Sequence, residues 1–338
     1  MQIPKTYIIL LNYKSWKDTI ECLESVLKLQ GDSFQIILVD NSPTNESIDN
    51  IISWANGKIE NIKTDFPELV YPLEKKPIEY VLASEKNAEE AVFEDKKLII
   101  IKSNENNGFS AGNNVGLRYV LNVSNSSGKV WLLNNDTVVS KNTLSKLLET
   151  SESNSKYGII GAKLIEYDNP KIIQSIGGKY NPWIGKISIV GNGDSVNKKY
   201  SKEVTFDYPI GASMFLDIDF VRKVGLMDEQ YFLYFEEYDW VLRGKRNGYE
   251  MCFCPEAEVY HKGGGSSGGK TSKLSDFYGI RSKILFTKKF FPLLTPILYL
   301  SFLFFLFNRI KRKQYDRIFM LFKLIKNPNS YFNGTDNK

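Results

Sequence analysis

The sequence predicts an α/β fold built on a doubly wound sheet, and three observations carry that expectation. Four apolar runs are continuous rather than alternating: YIILL at 7–11, IILV at 36–39, LIII at 98–101 and VWLL at 130–133. Such runs suit parallel strands covered on both faces. Between the first two lies a helical pattern, with Ser15 as the N-cap, Asp18 three residues on, and Ile20, Leu23, Val26 and Leu27 on one face. Strand, helix, strand is a βαβ unit. Each run also ends on polar residues: Asn12, Asp40-Asn41-Ser42, Ser103-Asn104 and Asn134-Asn135-Asp136. Ligands of open α/β sheets bind outside the carboxyl ends of the strands, so the four polar ends are expected to meet in one crevice.

Residues 1–150 form the first half in this scheme, interrupted at about 56–97 by prolines and a charge-dense stretch. That stretch is expected to be a surface insertion, partly helical. From Tyr157 short strands and turns take over (IIGAKLI, Gly177-Gly178, GNGD at 191–194), so 151–262 is expected to be a second half with antiparallel elements. A glycine-rich loop at 263–275 and a basic, apolar tail at 276–338 complete the chain.

A chain of 338 residues with 42% hydrophobic and 25% charged residues reads as globular. Cys22, Cys252 and Cys254 form no CxxC pair. They argue for a reducing compartment and against a disulfide framework or structural zinc. The N-terminal apolar run is too short for a signal-peptide core, so the protein is expected in the cytoplasm.

The net charge of +5 is polarised: residues 281–326 hold eleven Lys or Arg against Asp316 alone, a local +10 that leaves −5 for the rest. This is not the distributed basicity of a nucleic-acid binder. The positive charge flanks FFPLLTPILYLSFLFFLF at 290–307 and suits an anionic membrane surface. Beyond Pro296 the apolar stretch 297–307 is eleven residues, about 16 Å of helix, against a hydrocarbon core of about 30 Å. An interfacial or re-entrant helix on the inner face of the plasma membrane is expected rather than a full span.

The segment NENNGFSAGNNVGLRY at 104–119 places Gly108 and Gly112 around Ser110, a second expected N-cap. Free N–H groups at a helix start form an anion site suited to diphosphate. The tripeptide Asn134-Asn135-Asp136, read alone, is a turn.

Taken in order, LNY (11–13), VDNS (39–42), NNGFSAGNN (106–114), LLNND (132–136), GASMF (211–215), FLYFEEYDWVLR (232–243) and VYHKGG (259–264) resemble the inverting family 2 glycosyltransferases of GT-A fold, especially the bacterial rhamnosyltransferase-like branch. The resemblance covers roughly residues 5–285. It implies a GT-A type doubly wound mixed sheet with the C-terminal segment as a membrane-associating addition. It also implies transfer of a sugar from a nucleoside-diphosphate donor, dTDP-rhamnose among the candidates, to a glycan or lipid-linked acceptor in cell-surface polysaccharide synthesis.

Carried over residue by residue, the resemblance puts nucleotide contacts at Asn12, Asp40 and Asn41. Donor contacts follow at Asn106, Gly108, Phe109, Gly112, Asn113 and Asn134. It makes Asn134-Asn135-Asp136 the local form of an Asp-x-Asp motif, with Asn134 in the first acidic position. Asp136 and His261, the single histidine, become the ligands of Mn²⁺ or Mg²⁺. The glycine-rich run after His261 is expected to be a lid, with Lys262 or Lys270 reaching phosphate; a simple linker is the alternative.

The resemblance makes Glu237 the catalytic base, where the family usually has aspartate, and puts Gly211, Ala212, Glu236 and Asp239 on the acceptor side. Acids in a first helical turn also favour the macrodipole, and Asp239 has Arg243 at i+4 as an ion-pair partner. Nucleotidyl transfer and a catalytically inactive, membrane-attached nucleotide-sugar-binding module are the competing functions.

Overall fold

The computed structural model describes residues 6–30, 33–90, 93, 96–124, 128–263 and 272–332. The strands are β1 (Thr6–Asn12), β2 (Phe34–Asp40), β3 (Tyr80–Ser84), β4 (Leu98–Lys102), β5 (Lys129–Asn134) and β6 (Thr137–Val139). They continue with β7 (Tyr157–Glu166), β8 (Ile173–Ser175), β9 (Gly177–Asn181), β10 (Lys186–Val190), β11 (Ser213–Asp217) and β12 (Glu250–His261). Ten of them form one sheet in the order β3-β4-β2-β1-β5-β11-β7-β12-β6, with β8 paired to β7; β9 and β10 form a separate hairpin.

The four apolar runs are the parallel strands β1, β2, β4 and β5. Their side chains are buried on both faces, which is why the sequence does not alternate. β11 runs antiparallel to both β5 and β7, and β6 antiparallel to β12, so the sheet is mixed. Register aligns the polar strand ends: Asn12 pairs with Asp40, Asp40 with Lys102 and Leu11 with Asn134.

Three local expectations are corrected. The stretch 56–97 has short helices at Pro67–Val70 and Glu85–Glu90, but between them β3 pairs in parallel with β4 and becomes an edge of the main sheet. Ile62, Phe66, Val70 and Ile78 from the same stretch are buried in the core. It is therefore integral to the fold, since its apolar residues find the sheet that its charged residues hide in the sequence.

Ser15 precedes the helix Trp16–Leu27 as expected, but its Oγ donates to the Tyr13 carbonyl at 3.1 Å and makes no cap. The helix Gly108–Val123 starts two residues before Ser110, with Asn107 at the N-cap. Gly108 turns the chain at φ +91, and Ser110 falls inside the first turn with an unpartnered, buried Oγ.

The C-terminal region is helical: Lys273–Phe290, Thr295–Lys311 and Tyr315–Lys326. The division at 275–276 falls inside the first of these, which belongs to the folded body. Phe277, Ile284 and Phe286 are fully buried, and Phe286 stacks on Tyr238 with ring centroids 4.8 Å apart. Asp276 accepts from Arg309 at 2.7 Å and also from Arg317, tying both later helices to this one. Among the described residues one segment, Pro292–Lys311, is long and apolar enough to cross a membrane by length and composition.

Candidate active site

The strand ends carry a buried polar layer. Asn12 donates to Asp40 Oδ1 at 2.7 Å, and its own Oδ1 accepts from Thr19 at 3.0 Å and from Asn135 at 3.1 Å. The other oxygen of Asp40 accepts from Lys102 Nζ at 3.1 Å. Buried polar groups are costly unless paired, and these are paired with one another. Asn12 and Asp40, both fully buried, therefore brace the floor of the crevice and do not line it. The expectation of direct nucleotide contact at these two residues is corrected accordingly.

Above this floor lies a pocket of about 240 Å³. Asn41, Asn106, Gly108, Phe109 and Asn134 line it together with Asp136 and His261, so residues from four motifs meet. The opposite wall is the segment 232–234. The Phe109 N–H donates to the Phe232 carbonyl at 2.8 Å, and a Cβ on Gly108 would stand 2.3 Å from that oxygen. Only glycine allows this approach. Tyr234 and Phe235 have φ of 70° and 72°, backbone strain of the kind that gathers at functional sites.

Gly112 and Asn113 do not line this pocket. A Cβ on Gly112 would meet Leu11 at 2.5 Å, so the glycine lets the helix approach β1. Asn113 donates to the Phe109 carbonyl of its own helix at 2.9 Å.

His261 Nε2 stands 3.2 Å from Asp136 Oδ1 and 3.4 Å from Asn134 Nδ2. The other imidazole nitrogen, Nδ1, faces Gln174 Oε1 at 2.6 Å. Gln174 Nε2 donates to the His261 carbonyl at 3.1 Å and to Glu166 at 3.4 Å, which leaves its oxygen for the ring. Nδ1 therefore carries a proton, and Nε2 faces the Asp136 carboxylate. Burial alone would raise the Asp136 carboxyl, but His261 and then Lys262 outweigh it and hold it below its ordinary 3.8.

Gln174 was missed in the sequence, since it stands 87 positions from His261 with no motif around it. Asn135, the middle residue of the strand-end motif, donates to Asn12 Oδ1 and Thr19 Oγ1 and so belongs to the floor.

Lys262 does not point to phosphate. Its ammonium is bound by Asp18 at 2.6 Å and Glu21 at 2.5 Å, which raises its pKa despite burial. Lys270 and most of the expected lid lie outside the described residues. Among the described residues no group of three His, Cys, Asp or Glu side chains is placed to hold a metal.

The three acids of the helix Glu236–Arg246 have three different settings. Glu237 is half-buried and accepts the Gly211 N–H at 3.0 Å; burial raises its pKa above the ordinary 4.5. Glu236 is 3% exposed and its Oε2 has no partner. Burial first, and the charge of Glu237 second, raise it well above 4.5. Asp239 is fully buried, one oxygen accepting from Arg243 Nε at 2.6 Å and the other from Lys289. Asp239 presents no free oxygen to an acceptor, and that expectation is corrected, whereas Glu236 keeps one buried, unpartnered oxygen. Ala212, also buried, accepts the Asn134 N–H through its carbonyl at 3.0 Å. Gly211 and Ala212 thus join Glu237 to the pocket wall.

A family profile described as "Glycosyltransferase like family 2" matches residues 80–276, more than half of the chain. The low-salt glycan biosynthesis hexosyltransferase Agl10 of Haloferax volcanii is 25% identical over 161 residues, 48% of this chain and 50% of that protein. The match thus spans half the length of that curated relative. The mannosyltransferase PcManGT from Pyrobaculum calidifontis, solved in complex with GDP-Man and Mn²⁺, superposes with a TM-score of 0.51 at 12% identity, over 89% of this chain and 70% of that one. TarS 1–349 of S. aureus in complex with UDP gives 0.47 at 12% identity, over 87% and 69%.

Proposed function

The chain belongs to the glycosyltransferase-like family 2, and on that premise we propose that it transfers a hexosyl or deoxyhexosyl group, with inversion, from a nucleoside-diphosphate donor to a glycan or lipid-linked acceptor. The observation that carries this is the separation of two chemistries around one crevice. The Asp136–His261 pair lines the pocket, while the half-buried carboxylate of Glu237 stands on the neighbouring element, linked to Asn134 through Gly211 and Ala212. dTDP-rhamnose is one donor within this class.

The residues fit a divalent cation, because a carboxylate oxygen and an imidazole nitrogen stand 3.2 Å apart with the other ring nitrogen committed to Gln174. Asp136 and His261 would hold Mn²⁺ or Mg²⁺, with donor oxygens as the remaining ligands. When bound, the metal supplies positive charge to the departing diphosphate.

Glu237 takes the proton of the acceptor hydroxyl as that oxygen bonds to the anomeric carbon and the bond to the diphosphate breaks. A raised carboxylate is the stronger base of its type. Asn41, Asn106 and the Phe109 face hold the donor, and the strained 232–235 turn fixes where Glu237 begins its helix.

The enzyme is further proposed to sit on the inner face of the plasma membrane through Thr295–Lys311. This helix is 17 residues long with only Leu298 and Phe302 buried, and basic residues follow its apolar part. A span would have to break the Arg309–Asp276 pair and the packing of Leu298 and Phe302, so an interfacial position is favoured.

A thermal-shift screen of nucleoside-diphosphate sugars, followed by transfer and product NMR, tests the reaction. A product with retained anomeric configuration, or donor binding without turnover on any acceptor, would overturn it.

A further inference from the structure

The hairpin of β9 and β10 carries an exposed apolar tip, Trp183 at 61% and Ile184 at 56% exposure. The tip does not project alone. Gly185, at φ +58, lies so close to Leu298 that a Cβ there would stand 2.9 Å from its Cδ1. The hairpin therefore abuts Thr295–Lys311, more than a hundred residues away in the chain. On that helix Leu300, Leu303, Phe304 and Phe307 are exposed, and Phe319 and Phe322 continue the apolar surface on Tyr315–Lys326.

A cation stands at the junction. The side chain of Lys283 approaches the same Gly185, its Nζ 3.9 Å from where that Cβ would stand, and no ion pair engages it among the described residues. Burial lowers its pKa, as for an ammonium removed from water without a partner. Lys288, Lys311, Arg312 and Lys313 are exposed around the apolar face. The acids nearby are already committed, Asp276 to Arg309 and Arg317, Asp316 to Lys273.

From this juxtaposition we infer that the β9–β10 tip and the two C-terminal helices form one bilayer-binding face, in which Trp183 and Ile184 enter the interface and Lys283 pairs with the phosphate of an anionic lipid. This rests on the membrane attachment proposed above and adds to it a second anchor, which fixes the orientation of the molecule. Trp suits the headgroup boundary, being apolar in body and polar at its N–H. A self-associating face would bring two strongly basic rims together at a cost, whereas an anionic surface neutralises them. The same helix Lys273–Phe290 carries Lys283 and packs Tyr278 on Phe232 of the pocket wall, with ring centroids 4.2 Å apart. Docking through this face would hold the pocket at a set height above the lipid, where a lipid-linked acceptor emerges.

The test is co-sedimentation of the full chain with vesicles of phosphatidylcholine alone or with phosphatidylglycerol. The paired change Trp183→Ser with Ile184→Ser should weaken partition onto mixed vesicles roughly tenfold. Lys283→Gln should weaken it about fivefold on mixed vesicles and leave it unchanged on neutral ones. Brominated lipids should quench the wild-type tryptophan fluorescence more than that of Trp183→Phe. Thermal shift by nucleotide should be the same in every variant, as a control for folding. If Phe304→Ser with Phe307→Ser releases the protein while the hairpin variants bind as wild type, the hairpin inference fails and membrane attachment stands. If the wild type ignores both vesicles, or forms a dimer that buries Trp183, the attachment itself fails.

Discussion

Gly211 donates its backbone N–H to Glu237 Oε1 across 3.0 Å, and a Cβ at that position would stand 2.6 Å from the same oxygen. Gly211 is not among the positive-φ glycines, so alanine is acceptable to the backbone and unacceptable only to the carboxylate. Gly211→Ala should displace Glu237 by part of an ångström and lower kcat by roughly 10²-fold, with nucleotide affinity kept. Wild-type turnover in this variant would remove Glu237 from the reacting atoms.

Glu237→Gln keeps the shape and a hydrogen-bonding oxygen for Gly211 but cannot take a proton. Transfer should fall by roughly 10²–10⁴ while donor KM stays near wild type. Asp239→Asn should behave differently, because both its oxygens accept from cations in a buried setting. Removing one partner of a buried pair costs about 3 kcal/mol or more, visible as a lower urea midpoint. Steady-state kinetics with denaturation of both variants separates the roles. An inactive but fully stable Asp239→Asn enzyme would exchange the two assignments.

The fold was legible wherever burial on two faces imposed a pattern. The runs that became β1, β2, β4 and β5 are uninterrupted because nothing polar fits between two layers of helix, and their polar ends line up because parallel strands keep register. β3 was not legible. In YVLAS only Ala83 is buried, so an edge strand leaves little mark beside the charges around it.

Within the pocket, the sequence singled out Asp136 and His261, which stand 3.2 Å apart, but not what positions them. Gln174 lies on a three-residue strand whose pairing to β7 is decided by the tertiary fold. The roles of Asn12 and Asp40 were misplaced for a related reason: a strand-end polar residue can face the ligand or brace its neighbours. Only the partners, Thr19, Asn135 and Lys102, decide between the two.

Chelation should abolish transfer, and Mn²⁺ or Mg²⁺ should restore it. Asp136→Ala should be more severe than His261→Ala, since it removes the carboxylate of the pair. Gln174→Ala should weaken Mn²⁺ binding by about 10–100-fold, as outer partners of a ligating imidazole do. Calorimetric titration of Mn²⁺ in the presence of nucleoside diphosphate measures this directly. Full activity in excess chelator would dispose of the metal site, and unchanged Mn²⁺ affinity in Gln174→Ala would free His261 from it.

Glu236 and Glu237 are neighbours with unequal fates, and the inequality fixes a pH dependence of stability. Glu236 lacks a partner for Oε2, is buried, and stands against the charge of Glu237, so its folded-state pKa is raised well above 4.5. Such a group holds its proton more tightly when folded. Its contribution to stability is therefore complete below about 4.5 and is lost as pH rises through the folded value. Above that value the folded state must either bury a charge or share a site between two carboxylates. Glu236→Gln replaces the neutral acid with a neutral amide and removes the titration. Its urea midpoint should exceed that of wild type at alkaline pH, with the gap closing as pH falls towards 4.5. A gap that does not change with pH would mean that Glu236 binds protons equally in the folded and unfolded chains. A variant less stable than wild type at alkaline pH would mean that the ionised carboxylate has a partner.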